Sequence, residues 1–369
     1  MFQLYITLGY FIPNIYIFFR IRHLFIGKGY KAWYSLVYLI VAAISPLARF
    51  SRNDMAGLRD LLNIASGYLV PFFLYLFLAL LLYDLFLLLN LAIKRVSVET
   101  RKKFSYKAYA LSTMIVFSVL IVIGGSINLN TIRTTEYRVE IPRRDSKLNH
   151  LRIAFVADFH IDRNTKLGFV KQYVNKIKAL KPDILLYGGD IVEGRADKIV
   201  HPLITEALRS IKTRYGLYGI LGNHEFYGSD NPGRLYSMIN TRLLRDEVIK
   251  IDGSFYLAGR IDQHADERKP LKEILAKATS NLPVILVYHR PTQMQETSLT
   301  KTDVQFSGHA HNGQMFPLNL LLASMYDLSW GYRTVKDTHF FVTCGLRLWG
   351  PPVKTAGISE IMVVNITFR

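Results

Sequence analysis

The sequence predicts an α/β domain preceded by a bundle of about four membrane-spanning helices, and two observations carry that prediction. Composition changes sharply near residue 130. Residues 1–130 are dominated by Leu, Ile, Phe, Tyr and Val and hold only four acids (Asp54, Asp60, Asp84 and Glu99), whereas residues 131–369 mix both charges with Gly and Pro punctuation. In the second part, short apolar runs alternate with segments of helical periodicity, the rhythm of βαβ units. Several of those runs stop on Asp, Asn or His.

Four apolar stretches approach the roughly 20 residues that cross a bilayer: residues 2–19, 33–48, 68–93 and 108–127. The third is the most continuous, and Pro46 interrupts the second. No Lys or Arg precedes the first stretch and no small-residue cleavage site follows it, so it is expected to be retained rather than removed as a signal peptide. The short loops differ in charge. Arg20, Arg22, Lys28 and Lys31 follow the first stretch, and Lys94, Arg95, Arg101, Lys102, Lys103 and Lys107 follow the third, against Arg49, Arg52 and Arg59 after the second. The positive-inside rule then places the first and third loops in the cytoplasm and residues 131–369 outside it. Arg133, Arg138, Arg143, Arg144 and Lys147, close behind the last stretch, pull the other way. Asp84 lies inside the third stretch, where a carboxyl group is either functional or neutral and hydrogen-bonded; Asn14, in the first, is a similar case.

The net charge is +18, half of it on each side of residue 130. Without a long basic run, that surplus suits an anionic substrate or a lipid surface, and no motif calls for nucleic acid. Cys344 is the only cysteine, which excludes an intramolecular disulfide and a Cys-based zinc site. The absence of a repeat or of a series of intramembrane titratable groups gives a transporter no support.

Element by element, residues 137–143 alternate and read as a strand leading into the second domain. LRIAFVAD is a buried strand delivering Asp158. TKLGFVKQYVNKIKALK places Leu167, Val170, Val174, Ile177 and Leu180 at helical spacing, PDILLYGGD ends on Asp190, and a helix-like stretch covers 199–213. GLYGILGNHE, PVILVYH and DVQFSGHAH read as further strands, finishing on Asn223-His224-Glu225, His289 and His309-Ala310-His311. Ligand sites of open α/β sheets gather at the carboxyl ends of strands. In extended chain, residues i and i+2 share a face, so Asp158 with His160, and His309 with His311, are each expected to address a common point. Gly189, Gly222 and Gly308 stand immediately before ligand-type residues, where the missing Cβ lets the backbone turn. Hard oxygen and imidazole ligands at five successive strand ends point to a two-metal centre for phosphate-ester hydrolysis. His23, His150, His201, His264 and His339 have no such setting.

The ordered set Asp158-Phe159-His160, Gly189-Asp190, Gly222-Asn223-His224-Glu225, His289 and Gly308-His309-Ala310-His311 resembles the calcineurin-like metallophosphoesterase superfamily across residues 133–369. His289-Arg290-Pro291, Asn312-Gly313-Gln314 and the closing Ser359-Glu360-Ile361 are similar to the membrane-associated, YkuE-like subgroup and to transmembrane proteins with a metallophosphoesterase domain. The resemblance implies a four-layer α/β/β/α sandwich with the site on one edge, and two divalent ions. Carried over by position, Asp158, His160 and His311 would hold one ion, Asn223, His289 and His309 the other, and Asp190 both. His224 would remain free for acid chemistry. Glu225 stands where Asp is commoner, Asn312 where Gly is frequent, and Lys354 where relatives often have an Arg for a headgroup.

The expected activity is hydrolysis of phosphodiesters, phosphomonoesters or pyrophosphates, with lipid-linked molecules at the membrane surface as substrates and membrane lipids as partners. The mixed oxygen and nitrogen ligands suit Mn, Fe or Zn, with manganese expected to support activity in vitro. An alternative is a UDP-diacylglucosamine-type pyrophosphate hydrolase on the cytoplasmic face. An inactive scaffold is the reading from another class, and its hallmark, a missing ligand, is absent here.

Overall fold

The structure, a computed structural model, describes residues 2–50, 56–194, 200–227, 231–265 and 267–369. Arg52, Asp54 and Ile199, which entered the sequence reading, lie outside the described residues. The chain divides into two compact units, one of residues 1–127 with 350–353, the other of residues 128–349 with 354–369.

The first unit is helical: α1 (Phe2–Leu24), α2 (Lys31–Phe50), α3 (Ala56–Ile93), α4 (Val98–Lys102) and α5 (Phe104–Asn130). Among the described residues, three helices are long and apolar enough to cross a membrane, over Lys28–Phe50, Gly57–Ile93 and Phe104–Asn130. The first expected span lies in α1, whose Phe2–Ile6 side chains are not among those described. α3 runs 38 residues, beginning twelve residues before the expected span; Leu, Ala, Arg and Asp at 56–67 continue the helix where apolarity has faded. Ile17 and Ile21 of α1, Phe73, Leu76 and Leu80 of α3 and Met114 of α5 form one buried cluster. Leu36, Leu39 and Ile40 of α2 and Leu82, Leu88 and Leu89 of α3 are exposed, the surface distribution of helices solvated by hydrocarbon.

The structure gives partners to the two polar residues singled out in this unit, and it moves two loop cations. Asp84 is hydrogen-bonded: Arg20 reaches it from α1, with Nη2 at 2.5 Å and Nε at 2.8 Å from Oδ1, and the Tyr16 hydroxyl donates to it as well. Arg20 and Arg22 accordingly belong to α1 rather than to the loop after it. Asn14 is structural, because its backbone carbonyl and Oδ1 both accept from the Tyr38 hydroxyl, at 3.0 and 2.9 Å.

The second unit contains two six-stranded mixed sheets. The first has the order β1 (Ile132–Ile141), β12 (Ser359–Phe368), β2 (His150–Val156), β3 (Ile184–Tyr187), β4 (Leu217–Gly219) and β5 (Arg242–Leu243). The second has the order β10 (Gly331–Val335), β11 (Thr338–Val342), β9 (Val304–Ser307), β8 (Val284–Tyr288), β7 (Phe255–Arg260) and β6 (Glu247–Ile251). The helices are α6 (Leu167–Leu180), α7 (Pro202–Arg209), α8 (Arg234–Met238), α9 (Leu271–Ala276), α10 (Met294–Ser298) and α11 (Leu318–Met325).

Strand alternation builds the layers. Ile153 and Phe155 of β2 and Leu186 of β3 meet Leu257, Ile285, Val287 and Phe306 of the second sheet in one core. Their neighbours Ala154, Val156, Leu185 and Tyr187 face outward onto Val170, Tyr173, Val174 and Ile177 of α6 and Ile204 and Leu208 of α7. On the far side, Tyr256, Ala258, Leu286 and Tyr288 pack on Leu271 and Leu275 of α9. The result is α/β/β/α, with strands buried on both faces, which is why they read as unbroken apolar runs.

Candidate metal centre

β2, β3, β8 and β9 all end at one edge of the paired sheets, and the ligand-type residues lie just beyond those ends. The backbone ladder between β2 and β3 continues into the loops: Asp158 N–H donates to Gly189 O, His160 N–H to Asp190 O and Ile161 N–H to Ile191 O, at 3.0, 3.0 and 2.9 Å. The segments are no longer extended. Asp158, His160, Asp190, His309 and His311 all have φ between 47° and 69°, the left-handed region that Asp, Asn and His enter more readily than other side chains. Asp158 and His160 still meet in one grouping, with His311, but not through strand alternation. His309 and His311 do not share a point; they turn to opposite halves of the site.

Three groupings of side chains have ligand atoms within 4.8 Å of one another and can hold a metal ion: Asp158 with His160 and His311, Asp190 with His289 and His309, and His160 with Asp190 and His224. His160 Nε2 and His311 Nε2 are 3.3 Å apart, and His289 Nε2 lies 3.1 Å from Asp190 Oδ2 and 3.3 Å from His309 Nδ1. Asn223 is buried, and its Nδ2 donates to the Tyr227 hydroxyl at 3.0 Å. Its Oδ1 and the Nδ1 of His311 are buried without a hydrogen-bond partner. A buried polar atom left unpaired costs about 1–3 kcal/mol unless something satisfies it, and an amide oxygen is a hard donor of the kind that suits a divalent cation.

The surroundings fix the ligand tautomers, as outer partners of metal-binding imidazoles generally do. His289 Nδ1 donates to Gly188 O at 2.8 Å, leaving Nε2 for the centre. Glu193, to which the sequence reading gave no role, accepts from His160 Nδ1 and His224 Nδ1 at 2.8 Å each. Its only signal was its place three residues beyond Asp190. Asp262, fully buried, takes Arg290 Nε at 2.7 Å, and Arg290 Nη1 lies 3.1 Å from His309 Nε2. His264, set aside above, joins this group through Nδ1, 2.8 Å from Asp262 Oδ1. Glu225 accepts the backbone N–H groups of Asp190, Ile191 and Gly222 at 2.9, 2.7 and 2.8 Å, tying two ligand loops together.

Electrostatics separate these groups. Burial raises Asp158 above the usual carboxylate range. Burial acts on Asp190 too, but His289 outweighs it and holds that carboxyl well below the range. Burial and the nearby Asp190 push Glu225 to about 7. Burial opposes ionisation of Glu193, yet hydrogen bonds from His160 and His224 bring it to about 2. Burial lowers His309 to about 3, so it presents a neutral ring.

Lys354 is not available to a headgroup. It is fully buried, and its Nζ donates to the carbonyls of Cys344, Gly345 and Ile358 at 2.5, 2.9 and 2.7 Å. Glu360 of the closing motif likewise serves the fold, accepting from Thr343 Oγ1 at 2.7 Å and Cys344 N–H at 3.0 Å.

Residues 151–313 match the calcineurin-like phosphoesterase family. The chain carries a calcineurin-like metallophosphoesterase domain. That domain is of the phosphoester hydrolase class. An uncharacterized metallophosphoesterase of Campylobacter jejuni is 26% identical over 377 residues, covering 99% of this chain and 98% of the relative. A Danio rerio transmembrane protein with metallophosphoesterase domain is 26% identical, covering 69% of this chain and 62% of its own length. The Chlamydia trachomatis UDP-2,3-diacylglucosamine pyrophosphatase LpxG is 25% identical, covering 56% and 77%. The chain spans 60% of the length of two Helicobacter pylori relatives that are 30% identical to it.

Proposed function

We propose that the chain is a membrane-anchored, two-metal phosphoesterase acting on phosphodiester, phosphomonoester or pyrophosphate bonds of lipid-linked substrates at a membrane surface. The observation that carries this reading is the meeting of two ligand sets, one of which contains Asp190, with the buried, unsatisfied Asn223 oxygen in the loop that also carries His224. In this reading Asp158, His160 and His311 hold one divalent ion, Asn223, His289 and His309 the second, and Asp190 serves both. Such ions polarise phosphoryl oxygens and activate water for in-line attack. The donor set suits Mn, Fe or Zn, and manganese is our choice for assays.

The chain's own residues supply the rest. His224 is held through Nδ1 by Glu193, so its Nε2 is the nitrogen that gives a proton to the leaving oxygen. Its membership in a third ligand-like grouping does not make it a ligand in this reading, because the other two groupings already use every other histidine there. Arg290, braced by Asp262, adds a fixed positive charge beside the second set, where charge develops on the phosphoryl group.

The membrane part rests on the three long apolar helices and on the whole-chain likeness to the Campylobacter jejuni relative. A second reading, pyrophosphate hydrolysis of a UDP-diacylglucosamine-type lipid on the cytoplasmic face, is favoured by the printed activity of the Chlamydia trachomatis relative. The charge bias of the short loops favours the outer face.

The test uses the purified full chain, chelated and reloaded with manganese, on aryl mono- and diesters. Asp190→Ala should lose bound metal and activity together. His224→Ala should keep its metal and lose about 10²–10⁴ in kcat. Equal metal loss in both variants would remove His224 from the acid role, and no metal-dependent hydrolysis by the unsubstituted chain would sink the reading.

A further inference from the structure

α11 begins five residues after Gly313, where the family match ends, and none of its eight residues is buried. Leu320 is 61% exposed, Leu321 60% and Met325 67%. No charged residue or histidine occurs between His311 and Asp327. A short helix placing three large apolar side chains in water, inside an otherwise well-packed unit, is costly unless something covers them.

The helix lies close to the candidate site at both of its ends. Gly313, at φ +69°, lies so close to the next turn that a Cβ there would meet Asn319 N at 2.6 Å. The Tyr326 ring, at the other end of α11, stands edge-on to the His309 ring at 6.4 Å. Just past the helix, Arg333 Nη1 donates to Asp327 O at 2.9 Å, and Tyr332 is 41% exposed. Apolar helix, aromatic rim and cation follow one another in the order found where protein meets a lipid interface. At about 12 Å the helix is too short to span a bilayer. The same polypeptide holds helices of membrane-spanning length, and in the membrane-anchored reading long-chain lipids are the apolar ligands to which the chain is tethered.

We infer that α11 is an acyl-chain binding surface: Leu320, Leu321 and Met325 take the hydrocarbon chain of a phospholipid-type substrate whose phosphate sits at the metal centre. This rests on the phosphoesterase reading and adds to it the recognition of the substrate's tail.

The experiment uses the full chain held in an amphipathic polymer rather than in micelles and loaded with manganese. Binding is measured calorimetrically for non-hydrolysable phosphonate analogues of glycerol phosphate and of dibutanoyl and dihexanoyl phosphatidate, all below their micellar concentrations. The hexanoyl analogue adds two methylenes to each of its two chains, and affinity should rise about tenfold over the butanoyl analogue, as burial of the two on the one chain bound by α11 requires. In Leu320→Ser/Leu321→Ser/Met325→Ser that gain should fall below about twofold, with affinity for the glycerol phosphate analogue unchanged. A gain that is absent from the unsubstituted chain, or that survives in the variant, overturns the inference. So does equal loss for all three analogues, which would mark α11 as structural. Aryl diester hydrolysis is measured in parallel. If the unsubstituted chain hydrolyses nothing while the chain-length gain is present and lost in the variant, the phosphoesterase reading falls and the acyl surface stands.

Discussion

Glu193 holds His160 and His224 at once, one carboxylate oxygen for each Nδ1. An amide in its place can accept from only one ring and sets an N–H donor against the other, so Glu193→Gln should turn one imidazole into the wrong tautomer. We expect metal affinity or kcat to fall about 10–100-fold, read by metal titration and steady-state kinetics on an aryl phosphodiester. Values unchanged on both counts would show that the carboxylate positions neither ring. The eight proposed metal and acid residues were legible because few roles besides metal binding gather Asp, Asn and His at successive strand ends. Glu193 and Asp262 were not, and Arg290 stood out only within the His289-Arg290-Pro291 match, without a role. An outer partner has no fixed residue type and no fixed spacing, and its role exists only once the loops have folded together.

At the scale of elements, the readable strands were those buried on both faces: β2, β3, β8 and β9 are short apolar runs that stop at polar ligands. β10 is largely exposed and edges its sheet, and β12 pairs with β1 and β2, more than 200 residues earlier. The first leaves no apolar run to read, whereas β12 does hold one, residues 361–364, and only its distant partners were hidden. Turn geometry was half legible. Glycines before ligands signalled tight backbone, but the left-handed conformations of the ligands themselves were hidden. Gly308 shows how little room remains, since a Cβ there would stand 2.5 Å from Asp158 Oδ2 and 2.7 Å from Ala157 Cβ. Gly308→Ala should destabilise the fold by about 1–3 kcal/mol and weaken metal binding, because the atom it crowds belongs to a proposed ligand carboxylate. Gly168→Ala, with nothing within 4 Å of its Cβ, should instead stabilise by about 0.5–1 kcal/mol. Thermal unfolding of the two variants checks the pair, and equal shifts would mean that space at Gly308 is not limiting.

For the whole molecule, the proposed membrane anchoring makes the side faced by the metallophosphoesterase domain the quantity that separates the two substrate readings. Arg20, counted first among loop charges, is paired with Asp84 inside the helical unit. Its charge is already neutralised there and contributes little to orientation. Removing it leaves Arg22, Lys28 and Lys31 with the six cations of the third loop on one side, against Arg49, Arg52 and Arg59 on the other, so the bias keeps its sign. The five cations between Arg133 and Lys147 oppose it only in part, since Arg144 is bound by Asp303 through both terminal nitrogens at 2.8 Å within the folded domain. A folded domain carries its surface charge as a unit and is a weak topological determinant. A periplasmic-type phosphatase reporter fused after Arg369 should therefore be active, and a fluorescent protein at the same point dark. The reverse pattern would place the metal centre in the cytoplasm, overturn the outer-face reading, and make a cytoplasmic lipid pyrophosphate the substrate to assay first.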